Sequence, residues 1–122
     1  MRRNRMDCRL PGRRYKAVFD NARAKRGRFC VAYEAPPGSG GDSPPATGVI
    51  ATKKTFRRAV DRNRAKRLMR EAFRLEAPRL GEGFECILVA RAWMRGKKMQ
   101  DVRADIARLF NGGKSADRQE QR

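Results

Sequence analysis

The sequence predicts a single α+β domain, a two-layer sandwich with its elements in the order α-β-β-α-β-α. Three observations carry that expectation. Apolar residues recur at helical spacing in three separate stretches, and short runs of strand composition lie between them. A chain of 122 residues has room for one modest core.

Residues 1–11 are basic and aperiodic, and read as a flexible arm closing at Pro11-Gly12. The domain is expected over residues 12–111. From Arg13 to about Ala24 the pattern is helical, with Tyr15, Val18 and Phe19 on one face, and Gly27 stops it. Arg28 to Glu34 reads as a strand whose alternation puts Phe29, Val31 and Tyr33 on one side. Residues 36–46 (PPGSGGDSPPA) are too rich in proline and glycine for regular structure and predict a flexible loop. Thr47 to Thr52 makes a second strand, expected to form a hairpin with the first. A long helix follows from near Arg57 to Glu76, ended by Pro78 and Gly81. Cys86 to Ala90 is apolar throughout and reads as a buried strand. The last helix runs from about Lys98 to Phe110, with Val102, Ile106, Leu109 and Phe110 as its stripe. Phe84 and Trp93 read as packing residues. The polar residues 112–122 are expected to be disordered.

The segment Lys53 to Arg74 carries ten Lys/Arg against two acidic residues, yet keeps an apolar face. With Val60 at zero and about 100° per residue, Leu68, Ala72, Ala65 and Met69 fall between roughly 80° and 180°. Arg70, Asn63, Arg74 and Arg67 fall on the opposite arc. A solvated helix would mix Glu with Lys in i,i+4 pairs; this one hardly does, so its charge is aimed at an external polyanion.

Composition points the same way. The formal net charge is +18, with 31 basic and 13 acidic side chains, and nucleic acid is the usual partner of such a domain. An anionic membrane is the weaker candidate, because no apolar run approaches the ~18 residues a span requires. Histidine is absent, which removes the commonest proton-transfer group and zinc ligand. Cys8, Cys30 and Cys86 are odd in number and far apart, suiting a reduced, cytoplasmic protein, with Cys30 and Cys86 as small core residues. No catalytic constellation can be assembled from these residues, and no metal site.

The ordered set Lys53-Lys54, Ala59-Val60, Arg62-Asn63-Arg64, Lys66-Arg67, Arg70-Glu71 and Phe73-Arg74 resembles the signature of the bacterial ribonuclease P protein family. Arg9-Leu10, Tyr15 with Val18-Phe19, Gly48 to Thr52, Ile87 to Arg91 and Val102 to Phe110 extend the resemblance over roughly residues 9–110. Two departures stand out. Pro11-Gly12-Arg13-Arg14 replaces the polar residues that usually open the first helix. Ala32 stands where relatives commonly carry an aromatic residue, so either the register is offset to Tyr33 or part of an aromatic surface is missing.

The resemblance implies a subunit of a ribonucleoprotein that removes the 5′ leader of precursor tRNA. The RNA subunit would carry the catalysis and hold most of the Mg²⁺, with no organic cofactor, and the protein alone would be inactive. It also implies that the basic helix lies in a left-handed βαβ crossover, against the usual hand. Lys53, Lys54, Arg58, Arg62, Arg64, Lys66, Arg67, Arg70 and Arg74 would meet phosphates of the catalytic RNA, as guanidinium forks suit. Asn63 would meet a ribose hydroxyl or base edge, or make a local helix bond instead. Arg64 and Glu71 have an intrahelical electrostatic role as their alternative. Tyr15, Phe19, Phe29 and Tyr33 would offer stacking surfaces to the precursor-tRNA leader, the alternative for Tyr15 and Phe19 being core packing. The expected partners are ribonuclease P RNA and precursor tRNA, with no membrane and no obligate protein partner. A ribosomal or RNA-chaperone protein and a DNA-binding protein are the competing readings; the latter lacks a helix-turn-helix or dimer signal.

Overall fold

The computed structural model describes residues 8–111. A 3₁₀ turn over Gly12–Arg14 opens α1 (Tyr15–Asn21). Next come β1 (Arg23–Arg26), β2 (Cys30–Glu34), β3 (Ala46–Ile50), α2 (Ala59–Glu76), β4 (Glu85–Ala90) and α3 (Met99–Asn111). The α+β class and the long basic helix between two strands are as expected, with one strand more.

That strand is β1. Its sequence, Arg23-Ala-Lys-Arg26, carries no apolar alternation, and it pairs antiparallel with β2 across the turn at Gly27. A charged edge strand of this kind discourages pairing with other chains. The helix expected to reach Ala24 stops at Asn21 instead, where Ala22 turns extended (ψ 152°) to enter the strand.

The sheet order is β1-β2-β4-β3. The hairpin expected between the strands either side of the proline-rich loop does not form. β4 lies between them, antiparallel to β2 and parallel to β3, so that α2 is the crossover joining β3 to β4. The physical reason is burial: Cys86, Ile87 and Leu88 are all fully buried, and only a central strand covers both faces of such a run.

Alternation along the strands separates two clusters. On one face Cys30, Ala32, Val49, Cys86 and Leu88 pack with Met69 and Phe73 of α2 and Ile106 and Leu109 of α3. On the other, Ile87 packs with Leu10, Val18 and the half-buried Tyr15, Tyr33, Ile50 and Val89. The short α1 therefore leaves part of its face of the sheet open. The arm is not loose throughout its expected length. Over Cys8–Leu10 it runs parallel to β3, with the Leu10 N–H donating to the Thr47 carbonyl at 3.0 Å and the Thr47 N–H to the Cys8 carbonyl at 2.8 Å. Residues 1–7 of the arm and the tail from residue 112 lie outside the described residues.

The loop at 36–46 is irregular but tied down. Gly40 donates to the Gly83 carbonyl at 2.9 Å and Gly83 to the Ser43 carbonyl at 2.8 Å. Gly83 (φ +80°) has the Gly41 carbonyl 2.8 Å from where a Cβ would stand, so the contact requires glycine.

Two buried carboxylates lock the helices. Glu76, at the end of α2, accepts from Arg79 Nε and from Arg103 Nε of α3, each at 2.9 Å. Burial alone would raise its pKa, but the two guanidinium groups outweigh it and hold the carboxyl below the usual range. A lowered folded-state pKa gives stability that is present above the unfolded carboxylate value, ~4.3, and is lost as pH falls through the folded value. Glu76→Gln should therefore be less stable at pH 7 and should lose less stability than the parent between pH 5 and 3 in urea titrations. Asp105 of α3 is the second carboxylate; it accepts the Arg28 and Phe29 N–H groups, each at 2.9 Å, and so clamps the β1–β2 turn onto the helix. Cys30 and Cys86 are core residues as expected, and burial pushes the Cys86 thiol up to about 12.

Candidate RNA interface

The eighteen residues of α2 sort the basic set by what each side chain already holds. Arg62 Nη1 donates to the carbonyls of Phe56 (3.0 Å) and Arg57 (3.1 Å), which end the turn leading into the helix. Arg64 Nη2 donates to the Lys97 carbonyl at 2.8 Å and ties α2 to the segment before α3. Arg74 pairs with Glu71 one turn away. Arg64 thus braces the backbone rather than Glu71, and all three cations already have partners within the fold.

The others are free of such duties. Lys53 and Lys54 are exposed in the turn after β3, and Arg58 is exposed at the N-terminal end of α2. Asn63, Arg67 and Arg70 are exposed, Lys66 is half-buried, and none has a side-chain hydrogen bond among the described residues. Asn63 does not make the local bond that would have explained it otherwise. Asn63, Arg67 and Arg70 lie opposite the face carrying Ala65, Met69, Ala72 and Phe73, with Lys66 on its flank beside Phe73 and Lys53, Lys54 and Arg58 before the helix.

The second surface lies on the α1 side of the sheet. Tyr15 sits directly over β3: a Cβ on Gly48 would stand 2.4 Å from its Cζ and hydroxyl oxygen, so the ring can occupy that place only above glycine. Phe19, 40% exposed, meets Tyr33 edge-on with ring centroids 5.2 Å apart. Tyr33 therefore supplies the strand aromatic, and Ala32 faces the α2 side. Beyond these rings the cross-strand row Arg26, Val31, Val89, Ile50 is only partly covered, giving an apolar strip with a guanidinium at one edge. Phe29 does not join this surface. It precedes β2, its N–H is held by Asp105, and it packs into the cluster on the α2/α3 face beneath Lys97.

One feature links the two surfaces. Arg70 of α2, Tyr15 of α1 and Arg9 beside β3 line a single open cavity of about 430 Å³ with Leu10 and Val49. The sequence reading counted Arg9 in the family resemblance but not among the site residues; the pairing of Cys8–Leu10 with β3 is what fixes it there. Arg14 is not available, since it forks onto Glu85 at 2.6 and 3.1 Å and seats the start of α1 on β4. Among the described residues no cluster of His, Cys, Asp and Glu could hold a metal ion, and no helix is long and apolar enough to cross a membrane.

The chain is similar to known proteins. The sequence model of the family described as Ribonuclease P matches residues 8–113. The ribonuclease P protein component of Alcanivorax borkumensis is 34% identical over 106 residues, covering 84% of this chain and 82% of the relative. That of Pseudomonas entomophila is 39% identical over 104 residues, 83% of this chain and 74% of the relative. That of Xanthomonas oryzae is 38% identical over 96 residues, 79% of this chain but 63% of the relative's length. In fold, the chain is similar to the RNase P protein of Thermotoga maritima, with a TM-score of 0.70, 22% identity, and 83% and 95% of the two chains covered. The Staphylococcus aureus RNase P protein gives 0.69 at 19% identity, over 86% and 93%.

Proposed function

The chain belongs to the ribonuclease P protein family, and from that membership we propose that it binds the catalytic RNA through α2 and the 5′ leader of precursor tRNA through the α1 groove. Removal of the leader, leaving the mature 5′ end, is then carried out by the RNA subunit. The observation that carries this reading is the division of cations on α2. Arg62, Arg64 and Arg74 are occupied within the fold, whereas Lys66, Arg67 and Arg70, with Lys53, Lys54 and Arg58 before them, hold no partner among the described residues. Phosphates of a structured RNA are the natural partner for that set.

The groove supports the leader assignment by its chemistry: aromatic rings of Tyr15, Phe19 and Tyr33 beside Arg26 and Arg70 suit stacked bases and flanking phosphates of a single strand. Phe29 is left out of that set because it faces the other core. Family membership is the ground on which Mg²⁺ is assigned to the RNA subunit, and no protein side chain is given a step in the hydrolysis. The protein's contribution is to bind, screen phosphate repulsion and position the leader. This reading makes the protein a cytoplasmic one that works without an obligate protein partner.

The test is a salt titration of binding to a ribonuclease P RNA. Affinity should fall steeply with salt, since each phosphate contact releases counterions. Arg67→Ala should flatten the log–log slope by about one, and Arg58→Ala likewise. Arg67 is the cleaner probe than Arg70, which also borders the Tyr15 cavity. Unchanged slopes in both variants would remove the exposed face of α2 as the contact surface.

A further inference from the structure

Trp93 is the only tryptophan of the chain, and it is 67% exposed. An indole beside an apolar strand was expected to pack, as the sequence suggested, but this one turns most of its surface to solvent, its flat face open to a stacking partner. It does not hang on a loose loop. It stands in a 3₁₀ turn, Ala92–Met94, between β4 and α3. Met94 is buried and donates its N–H to the Arg91 carbonyl at 2.9 Å. Arg95 donates to Ala92 at 3.1 Å and Lys97 to Met94 at 3.0 Å, around Gly96 at φ +81°. The bond from Arg64 to the Lys97 carbonyl then fixes the turn to α2. The indole is presented outward on a fully bonded support.

Its surroundings are cationic. Residues 91–98 contain Arg91, Arg95, Lys97 and Lys98 and no acidic residue. Arg95 and Lys98 are exposed without a side-chain partner among the described residues. Arg91 and Lys97 are engaged, the first with the Gly27 carbonyl and the second over the Phe29 ring. No other large apolar side chain of the turn is exposed, so this is not a patch for a protein partner or for insertion into lipid. A flat ring flanked by free cations matches an unpaired base with phosphates on either side.

We infer that Trp93 is a stacking platform for an unpaired base of the RNA subunit, with Arg95 and Lys98 on the adjoining phosphates. The RNA subunit is the occupant because the turn adjoins α2: Met94 and Arg95 share a cavity of about 210 Å³ with Asp61, Arg64 and Ala65, on the face of the sheet opposite Tyr15. This rests on the functional reading above and extends the contact surface from α2 onto the segment before α3.

A single tryptophan makes the test direct. The full chain is titrated with ribonuclease P RNA while binding is followed independently by filter retention. Emission from Trp93 is expected to be quenched as binding saturates, because the indole would lie against a base. Trp93→Ala should weaken binding roughly 5- to 150-fold with no loss of melting temperature, and Trp93→Phe should recover most of it. RNA retention with unchanged emission, or Trp93→Ala binding as tightly as the parent, would overturn the platform and leave the role of α2 standing. Failure of the parent chain to bind the RNA would remove both. Quenching by precursor tRNA or by anionic vesicles, but not by the RNA subunit, would overturn the choice of occupant.

Discussion

Replacing Tyr15 by alanine is expected to weaken binding of precursor tRNA to the assembled ribonucleoprotein by ~1–3 kcal/mol, the usual cost of losing one base–aromatic stack. Mature tRNA has no leader, and its affinity should hardly change. The fold is expected to survive, because Tyr15 is only half-buried and lies over the backbone of Gly48 at the margin of the smaller cluster. Gly48→Ala provides an independent arm. Its methyl group would stand 2.4 Å from the Tyr15 ring and must displace it, so it should reproduce the loss for precursor tRNA without removing the aromatic. Equal weakening of both tRNAs by Tyr15→Ala, or a collapse of the melting temperature, would make Tyr15 a core residue and end the leader-groove account.

The largest effect on stability is expected at Asp105. Its buried carboxylate satisfies two backbone N–H groups of the β1–β2 turn, which lies against α3 at Gly27. Gly27 has no room for a side chain there, since a Cβ would stand 2.6 Å from Asp105 Oδ2 and 2.8 Å from the Cys30 carbonyl. Alanine at 105 would orphan both donors, each worth ~1–3 kcal/mol when fully buried. Partial access of water to the turn reduces the sum, and we expect a loss of ~2–4 kcal/mol, read as a lower urea midpoint at unchanged m. Asn at 105 keeps one acceptor but turns its amide donor toward the other N–H and gives up the pairing with Arg108, so it too should be destabilised. A change under ~0.5 kcal/mol for Asp105→Ala would show that the clamp contributes nothing.

The parts of this molecule that could be read from the chain are those whose signal is repeated. In α2 five turns of alternating apolar and basic residues fix both its existence and its faces, and the observed start at Ala59 differs by two residues from the expected one. β4 was legible because nothing else explains five consecutive apolar residues. β1 was not, because an edge strand of Arg and Lys is defined only by the partner it pairs with. The strand order was hidden for a related reason: pairing depends on which strand most needs two covered faces, and that is a property of the assembled sheet.

The site shows the same division. Period-two alternation placed Val31 and Tyr33 correctly, but carried on to Phe29, where the chain has already left the strand at the Gly27 turn. Arg62, Arg64 and Arg67 look alike in sequence. They differ because Phe56 and Lys97 bring carbonyl groups within reach of the first two, whereas Arg67 makes no such bond among the described residues. Trp93 was misread because an aromatic residue next to an apolar run usually packs, and only the backbone bonds of its turn show the ring directed away from the core.

The central claim is that this protein assists an RNA that does the chemistry, and one reconstitution tests it. Precursor tRNA is incubated with a ribonuclease P RNA at low Mg²⁺, with and without the protein, and with the protein alone. The expected result is cleavage at the mature 5′ end that depends on both components, is reduced by Arg67→Ala, and is absent with protein alone at any Mg²⁺ concentration. Cleavage by a clean protein preparation without RNA, or no stimulation of the RNA by the protein, would contradict it.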